Sequence, residues 1–172
     1  MDAHCFSILL LRVVVGLTMA AHGYNKFFGG GRIPGTGAWF ESIGMKPGKM
    51  HAVVAASVEI LAGLGLAVGL LTPIPAAGFV ALMLVAAWTV HLKNGFFSVA
   101  SGWEYNLVLA SAAVAVAGFG AAQYSFDWLW FRHSHISHYL HGWWGIGIAL
   151  VLGLVGGIAQ LLLFYRRPVT AE

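Results

Sequence analysis

The sequence predicts an all-α membrane protein, a four-helix transmembrane bundle followed by a fifth spanning helix. Three observations predict it. Only 9% of the residues are charged while 59% are hydrophobic, and a soluble domain carries about a quarter charged residues. Apolar runs approaching the roughly 20 residues that a helix needs to cross a bilayer recur along the chain, separated by Gly, Pro and polar clusters. The alternating ten-residue segments of a membrane barrel are absent.

The elements follow in order. Residues 5–27, "CFSILLLRVVVGLTMAAHGYNKF", form the first span, which ends at "GGGRIPGTG". The chain opens on Asp2 rather than a basic stretch, and Arg12 interrupts the apolar run, so this segment reads as a retained span and not a cleaved signal. "AWFESIGMKPG" is too short to span and suits an interfacial turn of helix. The second span, 50–71, stops at "TPIP", and the third is 75–92. A short fourth, 105–121, is extended at its start by Trp103 and Glu104, and the fifth is 142–165. The aromatic, histidine-rich "FDWLWFRHSHISHYLHGWW" before it suits a headgroup-level belt. Domain limits follow as 1–127 for the bundle and 128–172 for the belt and extra helix.

Small residues four apart, at Gly16 and Ala20, Gly65 and Gly69, and Gly153 and Gly157, have the spacing that lets helix backbones approach closely in lipid. In spans this rich in Gly, chance is the better account of any one of them.

Charge sets orientation. With five spans, Lys26, Arg32, Lys46, Lys49, Lys93, Arg166 and Arg167 fall on one side, while the other has only Arg132. The excess of Lys and Arg on cytoplasmic loops then places the N-terminus outside and the C-terminus in the cytoplasm. The net charge of +3 therefore reads as topology, and no basic patch interleaved with aromatics points to nucleic acid. Cys5 is the one cysteine, which excludes an intrachain disulfide, a CxxC pair and a Cys-based metal centre. Electrons in any redox role must run through a partner or a bound cofactor.

Polar residues gather at one level. "HLKNGFFSVASGWEYNLVL", 91–109, carries His91, Lys93, Asn94, Glu104 and Asn106 between two apolar spans. His22 and Lys26 end the first span at the same level. Glu59 lies roughly 12 Å above the start of its helix and Arg12 roughly 20 Å above Lys26, a difference that a long Arg side chain could cover, so an Arg12–Glu59 pair is one candidate partnership. Lys93 and Glu104 singly suit helix ends. His22, Lys26, Glu59, His91, Glu104 and Asn106 together form a candidate site, because ionisable groups inside a membrane are functional by default. His22 and His91 would be the pair to bracket a haem b by bis-histidine ligation, a minority reading. His133, His135, His138 and His141 could in principle catch Zn or Cu, but without a nearby acidic or Cys cluster they read as solvated.

Four blocks in this order and spacing, "LLLRVVVGLTMAAHGYNKFFGG", "ASVEILAGLGLAVGLLTPIPA", "HLKNGFF" and "GWEYNLVL", resemble the DoxX family of small bacterial membrane proteins. The resemblance runs from about Leu9 to Asp127; the histidine-rich segment and fifth span beyond it depart from the family pattern. It implies a four-helix membrane bundle in the bacterial cytoplasmic membrane. It also implies association with oxidoreductase systems: members include thiosulfate:quinone oxidoreductase subunits, proteins of quinone and thiol stress responses and, in mycobacteria, part of a membrane complex with superoxide dismutase and a sulfurtransferase. It puts weight on the matching polar positions, Arg12, His22, Lys26, Glu59, His91, Asn94, Glu104 and Asn106, as cofactor-binding residues.

The expected function is a membrane subunit or scaffold of a quinone- or thiol-linked redox system, embedded in lipid and working with protein partners. A homo-oligomer is compatible with the sequence. The polar cluster would bind a headgroup or relay protons, with His22 or His91 as hydrogen-bond donor and Glu59 or Glu104 as proton carrier. No nucleophile–base arrangement points to a stand-alone enzyme. The alternatives are a structural anchor for a partner protein and a small transporter or channel lined by Arg12 and Glu59, although neither an inverted repeat nor paired broken helices are visible.

Overall fold

The computed structural model describes residues 2–167; Met1 and the last part of the expected C-terminal segment, 168–172, lie outside them. Six α-helices succeed one another: α1 (Ala3–Phe28), α2 (Arg32–Ser42), α3 (Gly48–Val68), α4 (Pro73–Ala86), α5 (Glu104–Phe119) and α6 (Gly142–Phe164). The α4 helix continues through a π turn at Ala87–His91 and a 3-10 turn at Leu92–Asn94. Four stretches are long and apolar enough to cross a membrane, namely α1, α3, Pro73–Asn94 and α6. The α5 helix is apolar but shorter. No strand forms among the described residues, and Met45 and Tyr165 make one isolated bridge.

Local chemistry sets the helix ends. Asp2 caps α1 by accepting a 2.7 Å hydrogen bond from the Cys5 N–H, satisfying a donor that the first turn leaves free. The α3 helix stops at Gly69, whose φ of +66° is the left-handed C-terminal geometry that glycine adopts without strain. Pro73 then starts α4, where its missing N–H has no intrahelical partner to lose.

Five helices, α1, α3, α4, α5 and α6, run antiparallel in succession, so their ends fall into two layers. One layer holds α2 with the start of α3 and the ends of α1, α4 and α6, and is called here the α2 end. The other holds the α3–α4 turn and the 120–141 segment, and is called the Asp127 end.

Close approach of backbones holds the bundle. A Cβ on Gly63 would lie 2.5 Å from the Gly16 carbonyl oxygen and 2.6 Å from the Ala20 amide nitrogen, so α1 and α3 meet backbone to backbone. Gly153 and Gly157 of α6 likewise face Val80 and Leu84 of α4. Two of the three small-residue spacings are therefore helix contacts; in the third, Gly65 faces Pro75 and Gly69 is the α3 cap. Without a hydrophobic drive between helices in lipid, this intimacy is what dispersion contacts require. Outward positions carry Leu61, Val151, Val155 and Leu162, all exposed, as surfaces solvated by acyl chains must.

The core has two parts. Val15, Met19, Leu66, Phe79, Leu109 and Val116 join α1, α3, α4 and α5. At the α2 end, Phe40, Met45, Ala52 and Val85 gather with Leu161, Phe164 and Tyr165 of the α6 terminus. The chain leaving α6 is tied there by backbone bonds from Arg166 N–H to the Gly44 carbonyl (2.8 Å) and from Lys46 N–H to the Phe164 carbonyl (3.3 Å). The α6 helix is thus fastened both along α4 and at its end.

Candidate functional site

Helical phase brings polar residues of several helices to one slot near the α2 end. On α1, Met19, His22 and Lys26 recur at three and four residues and share a face. On α3, Ala55 and Glu59 are one turn apart. The π turn after α4 presents Thr89, Val90 and His91, and the first turns of α5 present Tyr105, Asn106 and Leu109. All of them line one cavity of about 230 Å³, which Trp39 and Phe40 of α2 and Gln160 of α6 also border. A cavity of about 150 Å³ holds a benzene ring, so this slot suits a single substituted ring and is too small for a porphyrin plane, although His22 and His91 both border it.

Lys26 and Glu59 form the charged centre. Lys26 Nζ donates to both carboxylate oxygens of Glu59, at 2.6 Å to Oε1, and the side chains are only 21% and 10% exposed. Asn106 is buried; its Nδ2 donates to the thioether of Met83 at 3.6 Å, a poor acceptor, and its Oδ1 has no partner. Whichever way the amide is turned, one of its polar atoms is left for something in the slot to satisfy. His91 Nδ1 lies 2.7 Å from the Ser101 carbonyl oxygen. A carbonyl only accepts, so Nδ1 carries a proton in this contact. His22 and Tyr105 are exposed and stand at the rim.

Five of the eight residues singled out from the sequence, His22, Lys26, Glu59, His91 and Asn106, come together here. Three do not line the slot. Glu104 accepts from the Ser98 N–H at 2.8 Å and fastens the 95–103 loop to the start of α5. Asn94 Nδ2 donates to the carbonyls of Val90 (3.3 Å) and Ser101 (3.1 Å), closing the turn after α4.

Arg12 is placed elsewhere and does not pair with Glu59. It lies fully buried at the Asp127 end, where Nη1 donates to the Ala67 carbonyl and Nη2 to the Tyr124 carbonyl. Beside it, Asp127 accepts from the N–H groups of Leu71 (2.6 Å) and Thr72 (3.0 Å) and from the Thr72 hydroxyl (2.6 Å). Arg12 thus satisfies one carbonyl at the end of α3 and one of the 120–126 segment, and Asp127 the N–H groups just before α4. The distance along α1 decides against the partnership with Glu59: Arg12 and Lys26 are fourteen residues, roughly 21 Å, apart on one helix, and Lys26 is the cation that stands level with Glu59.

Sequence reasoning passed over Thr89, Tyr105 and Gln160, which line the slot, and His51, whose Nδ1 lies 3.2 Å from Gln160 Nε2. A signal existed for two of them. Gln160 is the lone polar residue in "GIAQLLLF", and His51 precedes Glu59 by eight residues on the same buried face of α3. No group of three or more His, Cys, Asp or Glu gathers to hold a metal among the described residues.

Comparison with known proteins is consistent with this architecture. The model of the DoxX family matches residues 7–92, from α1 to the turn after α4. A Bacillus subtilis (strain 168) protein named "Putative oxidoreductase CatD" is 38% identical over 110 residues, 64% of this chain and 78% of that protein. No solved structure matches.

Proposed function

The chain belongs to the DoxX family, and from that premise we propose that it is the membrane component of a redox system and that its slot binds a quinone-type headgroup. The family and the oxidoreductase-named relative support a membrane redox-associated role. The single observation that carries the finer reading is the unmatched Asn106 amide beside the Lys26–Glu59 pair in a ring-sized, mainly apolar slot. An apolar pocket with a few convergent polar groups is the usual form of a small-molecule site. A buried ion pair is weak evidence for stability, which favours a role in binding.

When bound, a quinone supplies two-electron, two-proton redox chemistry; with one cysteine in the chain, the electrons come from a partner oxidoreductase. The chain's own residues bind and protonate. Lys26 Nζ, held by Glu59, donates a hydrogen bond to a ring oxygen. Asn106 engages a second polar atom of the ring. His91 Nε2 and Glu59 accept or hold a proton at the slot wall, and His22 and Tyr105 guard the opening. Leu82, Leu109 and Met19 give the ring its apolar bed.

In this reading the α2 end faces the cytoplasm of a bacterial inner membrane, since Lys26, Arg32, Lys46, Lys49, Lys93, Arg166 and Arg167 all belong to it. Cysteines placed at Lys93 and at Ile136 in a Cys5→Ser background should label from opposite sides of the membrane; labelling from one side would refute the orientation.

The deciding experiment is mass spectrometry of lipid extracts from the chain purified in mild detergent, with an absorbance spectrum of the same sample. Co-purifying quinone that disappears in Asn106→Leu, while the variant still elutes as an assembled bundle, supports the site. A chain that retains no quinone and binds none on addition defeats it. The second reading, a structural anchor in which Lys26–Glu59 merely locks α1 to α3, would then stand.

A further inference from the structure

A second feature lies on the other side of the turn that walls the slot. Two hollows at the α2 end share Trp88, Tyr165 and Arg167 and so form one groove between α4 and α6. The upper hollow, about 600 Å³, is bordered by Ser42, Leu92, Lys93 and Arg167. The lower, about 590 Å³, is walled by Leu84, Ile158, Leu161 and Leu162. Lys93 borders the upper hollow and Arg167 borders both, and below Arg167 the wall is apolar.

Basic residues beyond helix C-termini suit the helix dipole, and that alone would explain one of them. These two come from different helices, follow the ends of α4 and α6, and border the same hollow. Neither forms an ion pair among the described residues, where Lys26–Glu59 is the salt bridge found. Glu41, close to this level, is taken up by the Gly48 N–H at 2.9 Å and does not border the groove. Trp88 and Tyr165 at the junction are the side chains that favour headgroup level in a bilayer.

We propose that this groove binds one anionic phospholipid, its phosphate between Lys93 and Arg167 and an acyl chain along Leu84, Ile158, Leu161 and Leu162. The charge at one end and the length of apolar wall below it match such a molecule and not a free anion. The inference stands independently of the slot's ligand.

The test is native mass spectrometry of the full chain released from a neutral detergent, after titration with phosphatidylglycerol, with phosphatidylcholine of the same acyl chains, and with phosphatidylglycerol plus millimolar inorganic phosphate. Two basic side chains should give a preference for phosphatidylglycerol of roughly tenfold or more, insensitive to the added phosphate. The Lys93→Gln/Arg167→Gln variant should lose that preference, and Arg132→Gln, at the Asp127 end, should keep it. Equal retention of the two lipids by the unaltered chain overturns the proposal even if the double variant fails to fold. So does a double variant that keeps the preference, or displacement by inorganic phosphate, which would mark an anion site instead.

Discussion

Lys26, in the last turn of α1, and Glu59, in the middle of α3, form a nearly buried ion pair with Nζ–Oε1 at 2.6 Å. The two helices meet backbone to backbone at Gly16 and Gly63, so this pair is the polar continuation of an apolar contact. It also supplies the charged wall of the slot, and its dual position separates binding from stability.

Breaking the pair from one side leaves a charge in a low-dielectric setting, a loss of about 3–5 kcal/mol when burial is complete and less here because Lys26 is partly exposed. Glu59→Gln and Lys26→Met should each lower the melting temperature in detergent. The double variant Lys26→Met/Glu59→Leu should recover most of that loss while retaining no quinone. A double variant that still carries quinone would remove the pair from the binding role.

Asn106 should behave oppositely. An unmatched buried polar atom costs about 1–3 kcal/mol, so Asn106→Leu is expected to melt no lower than the unaltered chain. It should nevertheless lose bound quinone. Scanning calorimetry and lipid extraction on one preparation read both, and a marked drop in melting temperature would mean the amide is a structural bond.

Arg12 is expected to be structural. Arg12→Met strips the hydrogen bonds from the carbonyls of Ala67 and Tyr124 and leaves Asp127 without its neighbouring cation. The loss should be about 1.5–3 kcal/mol for each charged hydrogen bond removed. Any Arg12→Met protein that remains assembled should keep the slot's ligand affinity, measured by titration with a soluble quinone analogue; a loss of affinity in a well-folded sample would return Arg12 to the site.

The α1–α3 crossing tolerates no added side chain at Gly63, where a Cβ meets the backbone of Gly16 and Ala20. Gly63→Val should destabilise by at least the 1–3 kcal/mol typical of overpacking, and limited proteolysis in detergent should become faster. Gly147, with nothing near its Cβ position, is the control: Gly147→Ala should be neutral or slightly stabilising, as helix propensity favours Ala.

Much of the slot's polar lining was legible in one dimension. Intramembrane cost singles out His22, Lys26, Glu59, His91 and Asn106, since a polar residue in an apolar run has few reasons to be there. The same argument flagged Arg12, Asn94 and Glu104. It could not distinguish a residue facing a cavity from one that satisfies backbone groups at a helix end, because both are polar residues near span boundaries. Gln160 was missed because it lies on α6, outside the part of the chain that carried the family resemblance.

The sequence by itself determined the apolar helices, their order and the level at which polar groups collect, because hydropathy, breaking residues and a fixed rise per residue act along the chain. Which cation meets Glu59, which carbonyls hold Arg12 and which small-residue spacings become helix crossings were decided by the tertiary structure. Those outcomes depend on the rotation and axial register of each helix against its neighbours. In lipid these are set by where backbones approach closely, as at Gly16 and Gly63 or Gly153 and Val80, and such contacts arise only between segments distant in sequence.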